Sequence, residues 1–263
     1  MNLRALIFDV DGTLADTEET HRQAFNYAFL HFGLDWEWPR ALYRRLLGIS
    51  GGDERIARFI GTLGVPASEQ ARLRQLVPAL HREKNRLYAE LVADGRCPLR
   101  PGVARMAEEA LGAGVWLAIA STTSAENVGA LLGRHLGTGA LRRFSAIACG
   151  DHVQRKKPAP DIYRLALATL GEDAHRCVAF EDSVNGLRAA KAAGLYTVVT
   201  PSPWTAGDDF AAANLTLGHL GDVHDELPAT EAAAVGGPWL GLAELERLHA
   251  AAAGGACLRS VRS

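Results

Sequence analysis

The sequence predicts an α/β protein: a Rossmann-like parallel sheet with helices on both faces, carrying an all-helical cap inserted after its first strand. Three observations predict it. The apolar run Ala5 to Phe8, with branched and aromatic members, suits a strand covered on both faces. From Val103 onward helical periodicity alternates with short apolar segments, the pattern of parallel strands joined by crossover helices. Between Phe8 and Val115 lie about a hundred residues with no convincing strand, too many for an ordinary crossover.

After the opening strand, Thr17 to Phe32 reads as a helix. Asp16 or Thr17 caps it, acids fill its first turn, and Ala24, Phe25, Ala28, Phe29 and Phe32 share one side before Gly33 ends it. The pattern stays helical through Ala41 to Leu47, Asp53 to Leu63 and Ser68 to Val92, with Gly48, Gly51-Gly52 and Gly64-Val65-Pro66 as breaks. Pro78 is expected to kink or divide the last helix. Asp94 to Gly102 is a return linker, which sets the expected domains: 1–16 with 96–263 as the core, and 17–95 as the cap. In the core, strands are expected at Val115 to Ala120, Ala146 to Cys149, Cys177 to Phe180 and Tyr196 to Thr200. Helices fall at Val103 to Ala113, Ala125 to His135, Asp161 to Leu170 and Asn185 to Ala193. Beyond Pro201 the reading gives a short helix at Asp208 to Ala213, an edge strand at Leu215 to Leu217, a helix at Ala243 to Ala252, and fraying from Gly254 to Ser263.

The chain has 263 residues and a formal charge of −2 with its acids and bases interspersed, which argues against nucleic-acid binding or a basic membrane surface. Cys97, Cys149, Cys177 and Cys257 form no Cys-x-x-Cys pair, so neither a zinc site nor a disulfide framework is expected. No apolar run approaches the ~18 residues of a membrane span, and the acids at Asp9 and Asp11 precede any signal-like segment. The expectation is a cytoplasmic monomer.

The chemistry begins where the first strand ends. Alternation puts Asp9 and Asp11 on one side and Val10 on the other, and Gly12 lets the chain turn away. Two carboxylates ~4 Å apart at an effective dielectric near 20 repel by roughly 4 kcal/mol, so the pair needs a cation or a shared proton. That suits phosphoryl transfer: Asp9 as nucleophile, Asp11 as acid and base, and the Thr13 hydroxyl toward phosphate. A bare strand-ending turn or a calcium loop is the competing reading, and no calcium-type Glu follows at the needed offset.

Three further groups follow later strands, where open α/β sheets place their ligands. Ser121, Thr122 and Thr123 offer a hydroxyl and amides for a phosphate, or an ordinary N-cap cluster. Lys157, rather than Lys156, is the expected cation. Glu181 and Asp182 end the strand Cys177 to Phe180 and supply hard oxygen ligands suited to Mg²⁺. With Asp9 and Asp11 they make up the expected metal-ligand set and carry −4, Mg²⁺ and Lys157 return +3, and one proton on Asp11 completes neutrality.

Asp9-Val10-Asp11-Gly12-Thr13, Ser121, Lys157-Pro158 and Glu181-Asp182, in this order, resemble the signatures of the haloacid dehalogenase superfamily. Leu14 to Glu18 with His21, Leu34 to Trp38, Tyr43, Gly51-Gly52, Glu54 to Ile56, Tyr196 to Ser202 with Trp204, and Gly236 to Trp239 narrow the resemblance to the beta-phosphoglucomutase-like group and its CbbY proteins. The resemblance implies a Mg²⁺-dependent phosphatase of a small sugar phosphate, xylulose 1,5-bisphosphate first, acting through an aspartyl-phosphate. It also implies that Glu18, His21, Tyr43, Gly51 and Arg55 face the site from the cap. A phosphosugar mutase, a phosphoglycolate phosphatase and an inactive phosphate-binding protein are the alternatives. CbbY-like chains usually carry lysine after the paired glycines, whereas this one has Asp53. Trp36 and Trp38 are expected in the cap's apolar core rather than at a ligand.

Overall fold

A computed structural model describes residues 3–137 and 139–260, with side chains described as far as residue 253. Strands β1 (Ala5–Phe8), β2 (Trp116–Ala120), β3 (Phe144–Ala148), β4 (Cys177–Glu181), β5 (Tyr196–Val199) and β6 (Leu215–Thr216) form one sheet of order β3-β2-β1-β4-β5-β6. Every pairing is parallel. The opening strand therefore has neighbours on both edges, with Phe8 opposite Ile119 of β2 and Phe180 of β4. Side-chain alternation divides its burial: Leu6 and Phe8 join one apolar layer with Met106 and Val128, while Ala5 and Ile7 join the other with Ile162 and Ala166. A strand sealed on both faces and both edges holds whatever follows Phe8 in a fixed place.

Helices α1 (Glu18–His31), α2 (Arg40–Leu46), α3 (Gly52–Ile60) and α4 (Ala67–Ala93) lie between β1 and the rest of the sheet. Phe25, Phe29, Trp38, Tyr43, Ile56 and Ile60 from this part build a separate apolar cluster, which Trp204 joins from the sheet side. Trp38 is fully buried there and Trp36 packs against it, so both tryptophans are cap core, as expected. The two segments joining this helical part to the sheet run side by side: Ala15 bridges Leu99 in antiparallel fashion, and Arg100 N donates to Leu14 O at 2.9 Å. Helix α4 runs unbroken through Pro78. Pro78 sits between Val77 and Leu80, both buried in the cap cluster, and that packing holds the helix across the one missing amide donor.

Helices α5 (Val103–Gly112), α6 (Ala125–Leu136), α7 (Asp161–Leu170) and α8 (Val184–Ala192) occupy the crossovers, followed by α9 (Ala229–Val235) and α10 (Leu242–Ser260). The helix expected at Asp208 to Ala213 does not form. Asp209 Oδ1 instead takes the Ala211 amide at 2.9 Å, a side-chain turn that competes with the helical ladder. Helix α9 was not foreseen. The backbone of α10 continues through the Gly254 to Ser260 stretch expected to fray, and residues 261–263 of that expectation lie outside the described residues.

Candidate active site

The carboxyl end of β1 is pinned from three directions. Asp9 N donates to Phe180 O at 3.0 Å, Phe8 stacks on Phe180 with ring centroids 4.6 Å apart, and Gly12 turns the chain with φ +83°. A Cβ on Gly12 would come within 2.2 Å of Asp182 Oδ2. Only glycine permits both the positive φ and that approach.

Lys157 Nζ donates to Asp9 Oδ1 at 2.7 Å and to Glu181 Oε1 at 2.5 Å. Thr13 Oγ1 donates to Asp9 Oδ2 at 3.2 Å, and Tyr163 OH to Glu181 Oε1 at 2.5 Å. Burial, partly offset by Lys157, pushes the Asp9 carboxyl up to about 7. Burial and the neighbouring Asp9 also hold Asp182 well above the usual carboxylate range. For Lys157, its two carboxylate partners outweigh burial and raise it. Ligand oxygens of Asp9, Glu181 and Asp182 lie within 4.8 Å of one another. Three buried acids with one lysine leave a negative excess that a hard divalent cation would relieve, so this donor set fits Mg²⁺.

Asp11, expected as a fourth ligand, stands outside that group among the described residues. Its Oδ1 instead takes the Thr17 hydroxyl at 2.6 Å and His21 Nε2 at 2.9 Å. Against the effect of burial, His21, Thr17 and Lys84 keep it well below the usual range. Without a metal ion the raised proton affinities belong to Asp9 and Asp182. His21 is lowered chiefly by burial and stacks on Tyr88 with centroids 4.0 Å apart.

One cleft of about 340 Å³ is lined by Asp9, Asp11, Glu18, His21, Gly51, Arg55, Ser121, Thr122, Thr123, Lys157 and Asp182. Thr13, Tyr43 and Glu181 stand behind its wall. Ser121 N is held by Ala148 O at 3.0 Å. Ser124, rather than Ser121, caps α6, accepting from Asn127 N, so the Ser121 to Thr123 stretch is free of the capping duty. Tyr43 OH donates to Glu18 Oε2 at 2.7 Å. Three of the five Arg55 N–H groups go to Tyr43 OH, Leu46 O and Ile49 O, which holds the guanidinium in place at the cleft wall. Lys156 turns away from Asp9 and bridges to Glu54 at 2.7 Å. Gly51, at φ +98°, lets the loop close over it, since a Cβ there would lie 2.7 Å from Lys156 Nζ. Asp53 Oδ1 lies 3.4 Å from His81 Nδ1 and 3.6 Å from Lys156 Nζ. Burial drops His81 to about 4, leaving it neutral at pH 7, so Lys156 supplies the ionic part of that contact.

Sequence reading missed several polar residues in and behind the cleft wall. Lys84, His81 and Asn127 line the cleft, and Asn85 lies directly behind them, taking Lys84 Nζ at 3.3 Å and Asn127 Nδ2 at 3.2 Å. Lys84 was detectable: it falls on the buried stripe Leu73, Val77, Leu80, Leu87, Leu91 of α4, where a lysine has no structural reason to be. Burial lowers it to about 7.

The chain is similar along most of its length to known proteins. A family model for haloacid dehalogenase-like hydrolases matches residues 3–194. The plasmid CbbY protein of Cupriavidus necator is 48% identical over 247 residues, covering 94% of this chain and 97% of that protein. Fructose-1-phosphate phosphatase YqaB of Escherichia coli is 37% identical over 208 residues, 73% of this chain and 94% of that protein. A crystal structure of a CbbY variant from Rhodobacter sphaeroides in complex with xylulose-(1,5)bisphosphate superposes with TM-score 0.78 at 47% identity, covering 84% of this chain and 98% of that one. With the sheet order, the strand-end carboxylates and this similarity in agreement, the chain belongs to the haloacid dehalogenase-like hydrolases.

Proposed function

We propose that this hydrolase is a Mg²⁺-dependent sugar phosphatase whose preferred substrate is xylulose 1,5-bisphosphate. The observation that carries the reading is the buried group of Asp9, Lys157, Glu181 and Asp182 at the carboxyl ends of β1 and β4, opening on a cleft with cations along its wall. Asp9, Glu181 and Asp182 would hold the metal, which when bound neutralises charge on the phosphoryl oxygens and keeps Asp9 ionised. Lys157 holds Asp9 Oδ1 in place beside that charge. Asp9 attacks phosphorus as the ester P–O bond breaks, and Asp11 gives the departing alkoxide its proton. Water then attacks the aspartyl-phosphate, loses its proton to Asp11, and frees inorganic phosphate. Thr17 and His21 keep Asp11 ionised in the free protein, ready to take a proton. A phosphate dianion beside it raises its proton affinity for the acid step. Residues 17–95 act in this reading as a cap that closes on the core 1–16 and 96–263.

Asp53 bears on the substrate. Its carboxylate pairs with Lys156 and His81 and does not line the cleft, which favours the bisphosphate. The opposing reading, a monophosphate substrate, draws on the same contact, because Asp53 takes part of the Lys156 charge from a second phosphate. Turnover of xylulose 1,5-bisphosphate should exceed that of xylulose 5-phosphate by about tenfold or more in kcat/KM, equivalent to at least ~1.4 kcal/mol. Equal constants select the monophosphate. Glucose 6-phosphate formed from beta-glucose 1-phosphate without inorganic phosphate makes the protein a mutase. Asp9→Asn should abolish both turnover and labelling by substrate phosphate, and a fully active variant would remove the mechanism.

A further inference from the structure

Tyr163 lies in the first turn of α7 and is fully buried. Its hydroxyl donates to Glu181 Oε1 at 2.5 Å, and Lys157 Nζ donates to the same oxygen at 2.5 Å. A carboxylate oxygen carries two lone pairs, so these two donors fill Oε1. The other oxygen is placed differently. Glu181 Oε2 has the Ser183 hydroxyl at 3.4 Å, a long contact from a group that also caps α8 by accepting from Gly186 N at 3.1 Å. The carboxylate cannot swing toward α8, because it rests against Gly186: a Cβ there would lie 1.8 Å from Oε2 and 2.1 Å from Oε1. Glu181 is thereby fixed with one oxygen filled and one open to a further partner, within the three acids whose ligand atoms lie within 4.8 Å of one another.

A hard divalent cation at this group would find one Glu181 oxygen, not two. Ion size gives that restriction a consequence. Mg²⁺ demands near-octahedral geometry at about 2.0–2.1 Å and is served by single carboxylate oxygens, whereas Ca²⁺, at about 2.3–2.6 Å with more ligands, gains from carboxylates that bind through both. We propose that Tyr163 is a positioning residue: its hydroxyl, together with Lys157, keeps Glu181 a one-oxygen ligand and so biases the site toward Mg²⁺ against the larger Ca²⁺. The inference rests on the Mg²⁺-dependent reading above and adds the group that sets the ion preference. Lys157 alone does not suffice. It fills one lone pair of Oε1 and leaves a second, which the Tyr163 hydroxyl closes. Outer partners of this kind orient a ligand and tune the metal it accepts without touching the metal themselves.

The test is Tyr163→Phe, which removes the hydroxyl and keeps the ring, whose centroid lies 5.1 Å from Lys157 Nζ. Metal-free wild type and variant are melted over a range of magnesium chloride or calcium chloride concentrations, and each Kd is read from the rise of Tm with the metal. The quantity compared is the Kd for Ca²⁺ divided by the Kd for Mg²⁺. In the variant Oε1 regains a lone pair and Glu181 can offer both oxygens, so Ca²⁺ should gain on Mg²⁺. The ratio should fall by about tenfold, the lower end of what losing an outer partner does to metal affinity. A hydroxyl that served packing alone would lower the Tm of the metal-free variant and change both Kd values by one factor. That unchanged ratio, or a raised one, overturns the inference and leaves the Mg²⁺ reading standing. A wild type whose Tm answers to neither ion overturns the inference and the Mg²⁺ reading together.

Discussion

Replacing Lys157 with methionine removes the one cation that touches both Asp9 and Glu181, at 2.7 and 2.5 Å, and leaves two buried carboxylates. Breaking a buried ion pair from one side costs about 3–5 kcal/mol. For a chain of this size that is a fall of about 10 °C in Tm. The loss should depend on pH in a definite sense. Asp9 has its folded pKa raised to about 7 from 3.8, so its contribution to stability is complete below 3.8 and is lost as pH rises through about 7. Without Lys157 the folded pKa goes higher still, and the variant goes on losing stability at pH values where the wild type has levelled. Thermal melts of metal-free protein at pH 6 and pH 8.5 read this directly. The gap between wild type and Lys157→Met should be wide at pH 8.5 and much narrower at pH 6, where Asp9 carries a proton in both proteins. Saturating Mg²⁺ should raise the variant by more than the wild type at pH 8.5, since the site it enters is more negative. A gap of the same size at both pH values, or none, refutes the charge reading of Lys157.

Asp11→Asn should lose about 10²–10⁴ in kcat on an alkyl phosphate, the usual worth of general acid catalysis, and far less on an aryl phosphate whose leaving group needs no proton; steady-state rates on the two esters check it, and equal losses count against the role. Lys84 has its folded pKa lowered to about 7 from 10.5, so its burial weighs against folding below about 7 and eases as pH rises toward 10.5. Lys84→Met should therefore raise Tm at pH 6.5 while lowering kcat/KM, a trade of stability against function, and a lower Tm in that variant would show that the ammonium is well paired. Arg100 donates to Gly12 O, Thr200 O, Pro201 O and Gly218 O, so Arg100→Met leaves buried carbonyls bare and should destabilise by about 2–4 kcal/mol in urea denaturation, with less than half of that disproving its role as the clamp on the strand ends.

Much of the fold was legible because the strong signals are local. The strand Ala5 to Phe8 shows in its unbroken apolar run, and the helix Asp161–Leu170 appears where expected because Pro160 precedes it and Gly171 follows. The misses have tertiary or competing local causes. Pro78 reads as a kink or a division from its own chemistry, and the division does not occur, since buried Val77 and Leu80 carry α4 past it. At Asp208 to Ala213 the sequence looks helical, but the Asp209 side chain captures an amide first.

The candidate site was legible to the extent that its chemistry ends a strand. Asp9, Lys157, Glu181 and Asp182 each announce themselves as a charged residue where an apolar run or a crossover stops, and the sheet register then brings them together. The residues that shape the rest of the cleft carry no such mark. Asn85 and Asn127 are common helix residues, and only the crossing of α4 over α6 turns them into a network. Two acids that look alike in sequence are set apart by their neighbours: burial raises Asp9 because Lys157 offsets it only in part, whereas at Asp11 burial is outweighed by His21 and Thr17, from α1 and its approach, and it falls. His21 and Thr17, which donate to Asp11 Oδ1, are thus what sets the core's second aspartate apart from the first.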